Sequence, residues 1–507
     1  DTYNSGNTYM EYDEIKKCVS KYNSSITDEV LEYNIFKLNE DRKLKIVNDK
    51  YYLKEFYEAE KYIADKLCFL NDIERVKSSK LDSVIKELEE HNGIIYDKIQ
   101  KDAITKAVNN NLVIITGGPG TGKTTIVKAI VYSLKKLYKA HDEDIALLAP
   151  TGRAAKKLME TTNLKASTIH RYLGWDKDAN KFSVNEYSPN KEKYIIVDEV
   201  SMLDTILMAS LLKGVKRDVK LILVGDYYQL PSVSQGQVLK DLIDSEIIDV
   251  VKLNCLYRQD EDSYIPVLAG EIKDKDISDV FVKKTNDYNF IVSDSANMMG
   301  SVISIVSSAI KKGYTDKDVQ VLAPMYKSIN GIDMLNKHLQ KLFNPPSSRK
   351  NEVVLSEITY RVGDKVLQLV NDPDFNVYNG DLGYISDIVS ANKSLSKRVE
   401  IIVDYDGNKV TYTPDKYINI RHGYAISIHK SQGGEFPIVV MPIVNNFNRM
   451  LYNKLIYTGV TRAKKSLMIV GDPNCFINGI KNDYVDNRKT TLKDFILEKY
   501  DYNKIYR

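Results

Sequence analysis

The sequence predicts an α/β protein: two open-sheet units in tandem, a small β-barrel set into the second, and a mostly helical N-terminal region. Three observations carry this. Leu112–Ile115 reads as a buried strand, runs into the Gly-rich segment Gly117–Thr124, and gives way to helical periodicity over Ile126–Tyr138. Short apolar runs at Ile145–Ala149, Tyr194–Val197 and Leu221–Val224 each end in polar residues, and a second set of such strands begins at Val319–Ala323. From Tyr360 to about Ile420 the pattern changes to close-spaced alternating strands, with turns at Asn379-Gly380-Asp381 and Asp406-Gly407-Asn408, as a small barrel requires.

A chain of 507 residues, 43% apolar and 28% charged, is too long for one core and fits three or four domains. No apolar run approaches the roughly 18 residues of a membrane span. The opening DTYNSGNTYMEYDE has neither the basic nor the apolar part of a signal peptide. A cytoplasmic protein without membrane contact is therefore expected. The chain does not open with Met, so a trimmed N-terminus is expected too. Cys18, Cys68, Cys255 and Cys475 are far apart and the six histidines are scattered. That argues against a disulfide framework, a zinc knuckle or a His-based nuclease centre. With a net charge of only +3, contact with nucleic acid would need a local channel.

Taken in order, Glu11–Tyr22 and Thr27–Leu38 read as helices, followed by a hairpin of Lys43–Val47 and Tyr51–Leu53. The shape resembles a winged helix, a surface for DNA or a protein partner; a plain packing unit fits equally well. Phe56–Leu70 and Leu81–Glu90 are amphipathic helices. Gln100 precedes the first strand, where its amide could read an adenine edge.

The Gly-rich segment is G-x-x-x-x-G-K-T at Gly117, Gly122, Lys123 and Thr124. Gly118, Gly120 and Gly122 leave room for backbone N–H groups to close on phosphate, with Pro119, Thr121 and Thr125 completing the loop. Lys123 adds charge at the β- and γ-phosphates and Thr124 is a candidate Mg²⁺ ligand. The expected cofactors are ATP and Mg²⁺. Tyr194–Val197 ends in Asp198-Glu199, a metal-side carboxylate and a candidate base for the attacking water. Leu221–Val224 leads to Gly225-Asp226-Tyr227-Tyr228-Gln229, whose Gln229 is placed to sense a γ-phosphate. Arg258, in Leu253–Gln259, is a candidate arginine finger. Pro150, Thr151, Arg153, Thr168 and His170 lie in loops after strands, where open sheets bind ligands.

Read jointly, Walker A, PTGRAAKKL, STIHR, VDEVSMLD, GDYYQLPSV and LYRQ resemble superfamily 1 helicases. More narrowly they resemble the RecD-like 5′-to-3′ branch, related to the exodeoxyribonuclease V alpha subunit and the conjugative TraA helicase. The resemblance covers about residues 94–475 and, loosely, 1–93. It implies two RecA-like motor domains, at 94–265 and at 266–355 with 421–507. It implies an SH3-like barrel at 356–420 and a duplex-splitting hairpin in 173–193, where Trp175 and Phe182 flank the turn. It also implies that the helix-hairpin-helix part of longer members does not precede residue 1. The IHKSQGGE segment, with His429, Lys430, Ser431, Gln432 and the barrel's Asn379, is expected on DNA, and Glu435 at the nucleotide. Arg462, in LIYTGVTRAK, is expected to reach the γ-phosphate as a second arginine finger. The implied activity is ATP-dependent, 5′-to-3′ DNA unwinding by a monomer acting on single strands and junctions, in repair or recombination. Two alternatives stay open: a DNA-stimulated ATPase that remodels protein–DNA complexes without unwinding, and a non-motor P-loop switch.

Overall fold

A computed structural model describes residues 5–74, 77–176, 179–254, 263–355, 357–394, 396–483 and 488–505. Helices α1 (Tyr12–Ser20) and α2 (Asp28–Glu40) lead into a hairpin of Leu44–Val47 and Lys50–Leu53, the helix–helix–hairpin order read from the sequence. Thr27 caps α2, its hydroxyl accepting the N–H of Val30. Helices α3 (Lys54–Asn71), α4 (Leu81–Asn92) and α5 (Lys98–Asn109) follow.

The first sheet holds β1 (Leu112–Gly117), β2 (Ile145–Ala149), β3 (Ala166–Thr168), β4 (Tyr194–Val197), β5 (Lys220–Gly225) and β6 (Val250–Leu253). Their spatial order is β6-β1-β5-β4-β2-β3, with every pairing parallel. Alternation sorts the strands' side chains into two cores. Leu112, Ile114, Ile195, Val197 and Leu223 face one layer, and Val113, Ile115, Ile196, Ile222 and Val224 the other. α3 covers the first layer through Ile63 and Leu67, while α4, α5 and α6 (Lys123–Tyr138) cover the second. Each such buried Ile or Leu contributes roughly 1.5–3 kcal/mol. α3 and α4, which the sequence reading grouped with an N-terminal unit ending at residue 93, are thus walls of the first sheet. α7 (Gly152–Thr162) starts at the C-terminal edge, just after β2.

α8 (Tyr264–Asp274) opens the second half. Its sheet comprises β7 (Tyr288–Val292), β8 (Val319–Ala323), β9 (Ala425–Ser427), β10 (Phe436–Ile443) and β11 (Ala463–Gly471). The order is β7-β11-β10-β8-β9, again all parallel. Between β8 and β9, a hairpin (Glu352–Leu355 with Ile358–Arg361) precedes an antiparallel sheet of Lys365–Gln368, Leu382–Val389, Glu400–Tyr405, Asn408–Tyr412 and Ile420–His422. This insertion has its own core of Val366, Ile385, Ile401, Val403, Val410 and Tyr412.

α9 (Asn453–Val460) and α10 (Pro473–Lys481) complete the second half. The last helix, α11 (Leu492–Ile505), does not. Leu492 and Ile496 pack with Ile63 and Leu67 in the first core, so the span 421–507 expected for the second unit overruns into the first. No helix among the described residues is long and apolar enough to cross a membrane.

Candidate nucleotide site and nucleic-acid groove

β1 brings the chain to the sheet's C-terminal edge at Gly117, where a Cβ would lie 2.7 Å from Thr121 Oγ1 and 2.8 Å from Leu253 Cβ. Gly120 (φ +76°) and Gly122 (φ +83°) then turn it through the left-handed region into α6. Lys123 Nζ donates to the carbonyls of Gly117 (2.7 Å) and Gly118 (2.8 Å), and Thr121 Oγ1 donates to Gly118 O (2.8 Å). The ammonium thus sits on its own loop at the positive end of a 16-residue helix. Thr124 and Thr125 lie in the first turn of that helix. Gln100 is buried and closes a capping box at the start of α5: Asp97 accepts its N–H, and Gln100 Oε1 accepts the N–H of Asp97.

β4 is wholly buried and ends in Asp198 and Glu199. Glu199 takes φ +55°, ψ +41°, a conformation that costs a non-Gly residue about 1–3 kcal/mol, and it donates its N–H to Asp198 Oδ1 at 2.8 Å. Burial, with the Glu199 charge beside it, pushes the Asp198 carboxyl up to about 6. Such a group is stabilised by an added cation.

The two halves meet along the end of β5. Asp226 Oδ2 accepts the Gln229 amide (3.0 Å) and, from α9 of the other half, the Tyr457 hydroxyl (3.1 Å). Leu230 N–H reaches Thr458 Oγ1 (2.9 Å), and Leu230 O accepts Gln432 Nε2 (2.8 Å). Tyr457 also presses on the Gly-rich loop, since a Cβ on Gly118 would lie 3.0 Å from its hydroxyl. A cleft of about 440 Å³ opens here, walled by Gly118, Pro119, Tyr228, Leu253, Lys273 and Tyr457. Arg462 is buried in the second half and donates to Thr458 O, Gly434 O and Thr461 Oγ1. Glu435 pairs across the interface with Lys157 of α7 (2.7 Å) and with Lys464 (3.5 Å). Burial would raise its carboxyl, but Lys157, Arg462 and Lys464 hold it down to about 2. Arg258 lies outside the described residues.

The sequence-derived nucleic-acid residues sort into two groups. Pro150 ends the β2 turn. Thr151 and Thr168 cap helices, accepting the N–H groups of Ala154 and Arg171, both at 3.2 Å. His170 packs against Trp175 and Phe182, which themselves pair at 4.8 Å; burial lowers its pKa and favours the neutral ring. Residues 177 and 178 of the intervening turn are outside the described residues. Ser431 Oγ donates to Ile428 O within its own half. Gln432 is buried in the seam on Leu230 O, whereas Arg153 and Lys430 face the barrel. Arg153 Nη2 donates to Gly380 O (2.6 Å), its guanidinium lies 5.5 Å from the Phe436 ring, and its buried Nη1 has no partner. Lys430 Nζ bonds Asn379 Oδ1, Arg171 meets Asn376 (3.3 Å), and Lys156 pairs with Asp406 (2.5 Å). Between α7 and the barrel runs a cleft of about 600 Å³, walled by Arg153, Lys156, Arg171, Lys365, Tyr384 and Phe436. Cations interleaved with aromatic rings are what a single strand binds. The His429 pKa, beside Lys430, is lowered by burial and by the neighbouring Lys430 and Arg488 charges.

Three family descriptions match in succession. They are an AAA domain over residues 100–235, the SH3 domain of ATP-dependent RecD-like DNA helicases over 335–405, and the UvrD-like helicase C-terminal domain over 422–470. The chain is 33% identical over 377 residues to the ATP-dependent RecD2 DNA helicase of Deinococcus radiodurans, covering 74% of this chain and 49% of the relative. The chain belongs to the RecD-like ATP-dependent helicases of superfamily 1. The RecBCD enzyme subunit RecD of Buchnera aphidicola subsp. Acyrthosiphon pisum is 28% identical, over 85% of this chain and 81% of that protein. The chain thus spans about half the length of the first relative and most of the second. The crystal structure of Pif1 helicase from Candida albicans covers 82% of this chain and all of its own at 17% identity and a TM-score of 0.44, a loose superposition that adds nothing to the assignment.

The RecD-like site accommodates a nucleoside triphosphate on its own geometry. Gly120 and Gly122 hold the left-handed turn of the loop, and the Lys123 ammonium bonds two carbonyl oxygens there. Asp198, buried and raised, suits a cation completed by Thr124, phosphate oxygens and water, the donor set that Mg²⁺ prefers. No cluster of three or more His, Cys, Asp or Glu residues fit to hold a metal occurs among the described residues. Sequence reasoning missed Tyr457, Thr458 and Lys157. Each acts across the interface, and nothing local marks it.

Proposed function

We propose that this RecD-like chain is an ATP- and Mg²⁺-driven DNA motor that moves 5′ to 3′ on a single strand and separates duplex ahead of it, serving repair or recombination in the cytoplasm as a monomer. The observation that carries the reading is the hydrogen-bonded seam Tyr457–Asp226–Gln229 and Thr458–Leu230–Gln432. It joins the nucleotide loop's neighbours in one half to the IHKSQGGE segment in the other.

Bound ATP with Mg²⁺ supplies the phosphoryl group to be transferred and a charge that both halves can grip. Thr124 and Asp198 would hold the metal, Lys123 and Arg462 would neutralise the γ-phosphate, and Glu199 would orient and deprotonate the attacking water. Arg462, now bonded to carbonyls of its own half, gains a charged partner when the halves close. The direction of travel and the wedge role of Trp175–Phe182 rest on the family resemblance. The groove between α7 and the barrel supports backbone-directed binding, so low sequence preference and a steep salt dependence are expected. The N-terminal α1–α2–hairpin unit offers a surface for DNA or a protein partner, and a plain packing unit fits it equally well.

The test is ATP hydrolysis with and without single-stranded DNA. Stimulation by DNA is expected, and Lys123→Ala is expected to lower kcat at least about a hundredfold, as loss of a charge-stabilising donor does. Hydrolysis indifferent to DNA would leave the P-loop switch as the better reading.

A further inference from the structure

Arg488 belongs to none of the sequence motifs and stands where the chain returns from the second motor domain to the first. α10 packs in the second core and α11 in the first, so the segment between them crosses from one domain to the other. The first described residue after that crossing is Arg488. Its Nη1 donates to Ser234 O (2.7 Å) and Gly236 O (2.8 Å), and its Nη2 to Ser232 O (2.6 Å). One guanidinium therefore fixes three alternate carbonyls of the loop that directly follows Gln229-Leu230-Pro231. Gly6 (φ +72°) lies flat on the same group: a Cβ there would fall 2.6 Å from Arg488 Cζ, and Gly6 O accepts the Gly236 N–H at 2.9 Å.

Arg488 and Gln229 line one small cavity, together with Ser201, Lys240 and Lys454. Gln229 is buried; its amide nitrogen is bonded to Asp226, while its Oε1 has no partner. The orientation of that side chain is thus set by a single side-chain bond and by the backbone on either side of it. On one side the backbone is β5; on the other it is the loop that Arg488 holds. The guanidinium is also near enough to the second domain to oppose protonation of His429, after burial and Lys430.

We propose that Arg488 is a positioning residue for Gln229, holding the Ser232–Gly236 loop so that the Gln229 amide stays bonded to Asp226, the carboxylate that also accepts the Tyr457 hydroxyl across the domain interface. The inference rests on the motor reading above. Arginine suits the task because its planar fork satisfies several acceptors at fixed angles; a lysine ammonium keeps the charge without the fork.

The experiment is a double-mutant cycle on ATP hydrolysis at saturating single-stranded oligonucleotide: wild type, Arg488→Lys, Gln229→Ala and the double variant, with thermal unfolding of each. Arg488→Lys is expected to lower kcat about tenfold, with KM for ATP within about twofold of wild type. In the Gln229→Ala background the same change is expected to cost nothing more, since it acts through a side chain already removed. Should Arg488→Lys fail to fold, Gly6→Ala, which pushes a methyl group onto the same guanidinium, takes its place with the same expectation. Full activity in the single variant overturns the inference, and so do losses that multiply in the double variant. A wild-type protein inert toward ATP would overturn the motor reading and this inference with it, whereas multiplying losses in an active wild type strike the inference alone.

Discussion

Asp198 and Glu199 are adjacent carboxyls at the end of a buried strand, and the fold treats them differently. Asp198 is desolvated and pushed up to about 6, while Glu199 is held in a left-handed backbone conformation. With Asp198 at the metal as proposed, a proton and a cation would compete for its carboxylate. Above about pH 6 the carboxylate is free for metal; below it the proton holds the site. The half-saturating Mg²⁺ concentration for hydrolysis is therefore expected to rise several-fold as pH falls from about 7.5 to 5.5. A Mg²⁺ titration at both pH values checks this, and identical curves would remove Asp198 from the metal's surroundings. Residues such as these were legible because their chemistry is local: a Gly spacing, or two acids after a strand. The capping box Asp97…Gln100 was legible too, as D-x-x-Q before an apolar run, but the place of Gln100 just before the P-loop strand had directed its amide to an adenine edge instead. Tyr457 was not legible. Its partner Asp226 is 231 residues away, and a Tyr in an apolar helix reads as core.

At the scale of elements, α11 shows why the expected domain boundary failed. An amphipathic helix declares that it has an apolar face, not which sheet will receive it. Two buried acids decide the docking. Glu60 on α3 accepts the Thr491 hydroxyl (2.6 Å) and N–H (3.1 Å), and Asp241 accepts Thr490 Oγ1 (3.1 Å). Glu60 and Thr491 are 431 positions apart. Burial raises both carboxyls to about 7, against the hydrogen bonds they receive. Each thus binds more protons folded than unfolded between its ordinary value near 4 and about 7. Stability from this pair is therefore full at acidic pH and lost as pH rises through that window. Glu60→Gln keeps an acceptor for Thr491 and removes the ionisation. It is expected to raise the melting temperature at pH 8 relative to wild type, by an amount corresponding to about 1–3 kcal/mol, and to change it little at pH 5. Thermal unfolding at the two pH values measures the difference; a gain equal at both would mean that the carboxyl is not the source.

At the scale of the whole molecule, two parallel sheets share a seam and a barrel lies across their common groove. Fold class and motif order were readable because period-2 strands and Gly-rich loops are written in short segments. The seam was not, because Leu230–Thr458 and Leu230–Gln432 join positions 228 and 202 residues apart. The barrel's approach through Arg153, Lys156 and Arg171 was equally hidden, although Arg153 had been read as a DNA-binding candidate. That approach places the groove-lining cations Arg153, Lys156 and Arg171 of one half against the barrel inserted in the other. Closure driven by nucleotide would then act on a strand held between them. The most direct test is ATP-driven separation of two matched duplexes, one with a 5′ and one with a 3′ single-stranded tail, with Lys123→Ala alongside. Unwinding of the 5′-tailed duplex alone is expected, abolished in the variant. DNA-stimulated hydrolysis with neither duplex opened would contradict it and leave a translocase that does not unwind.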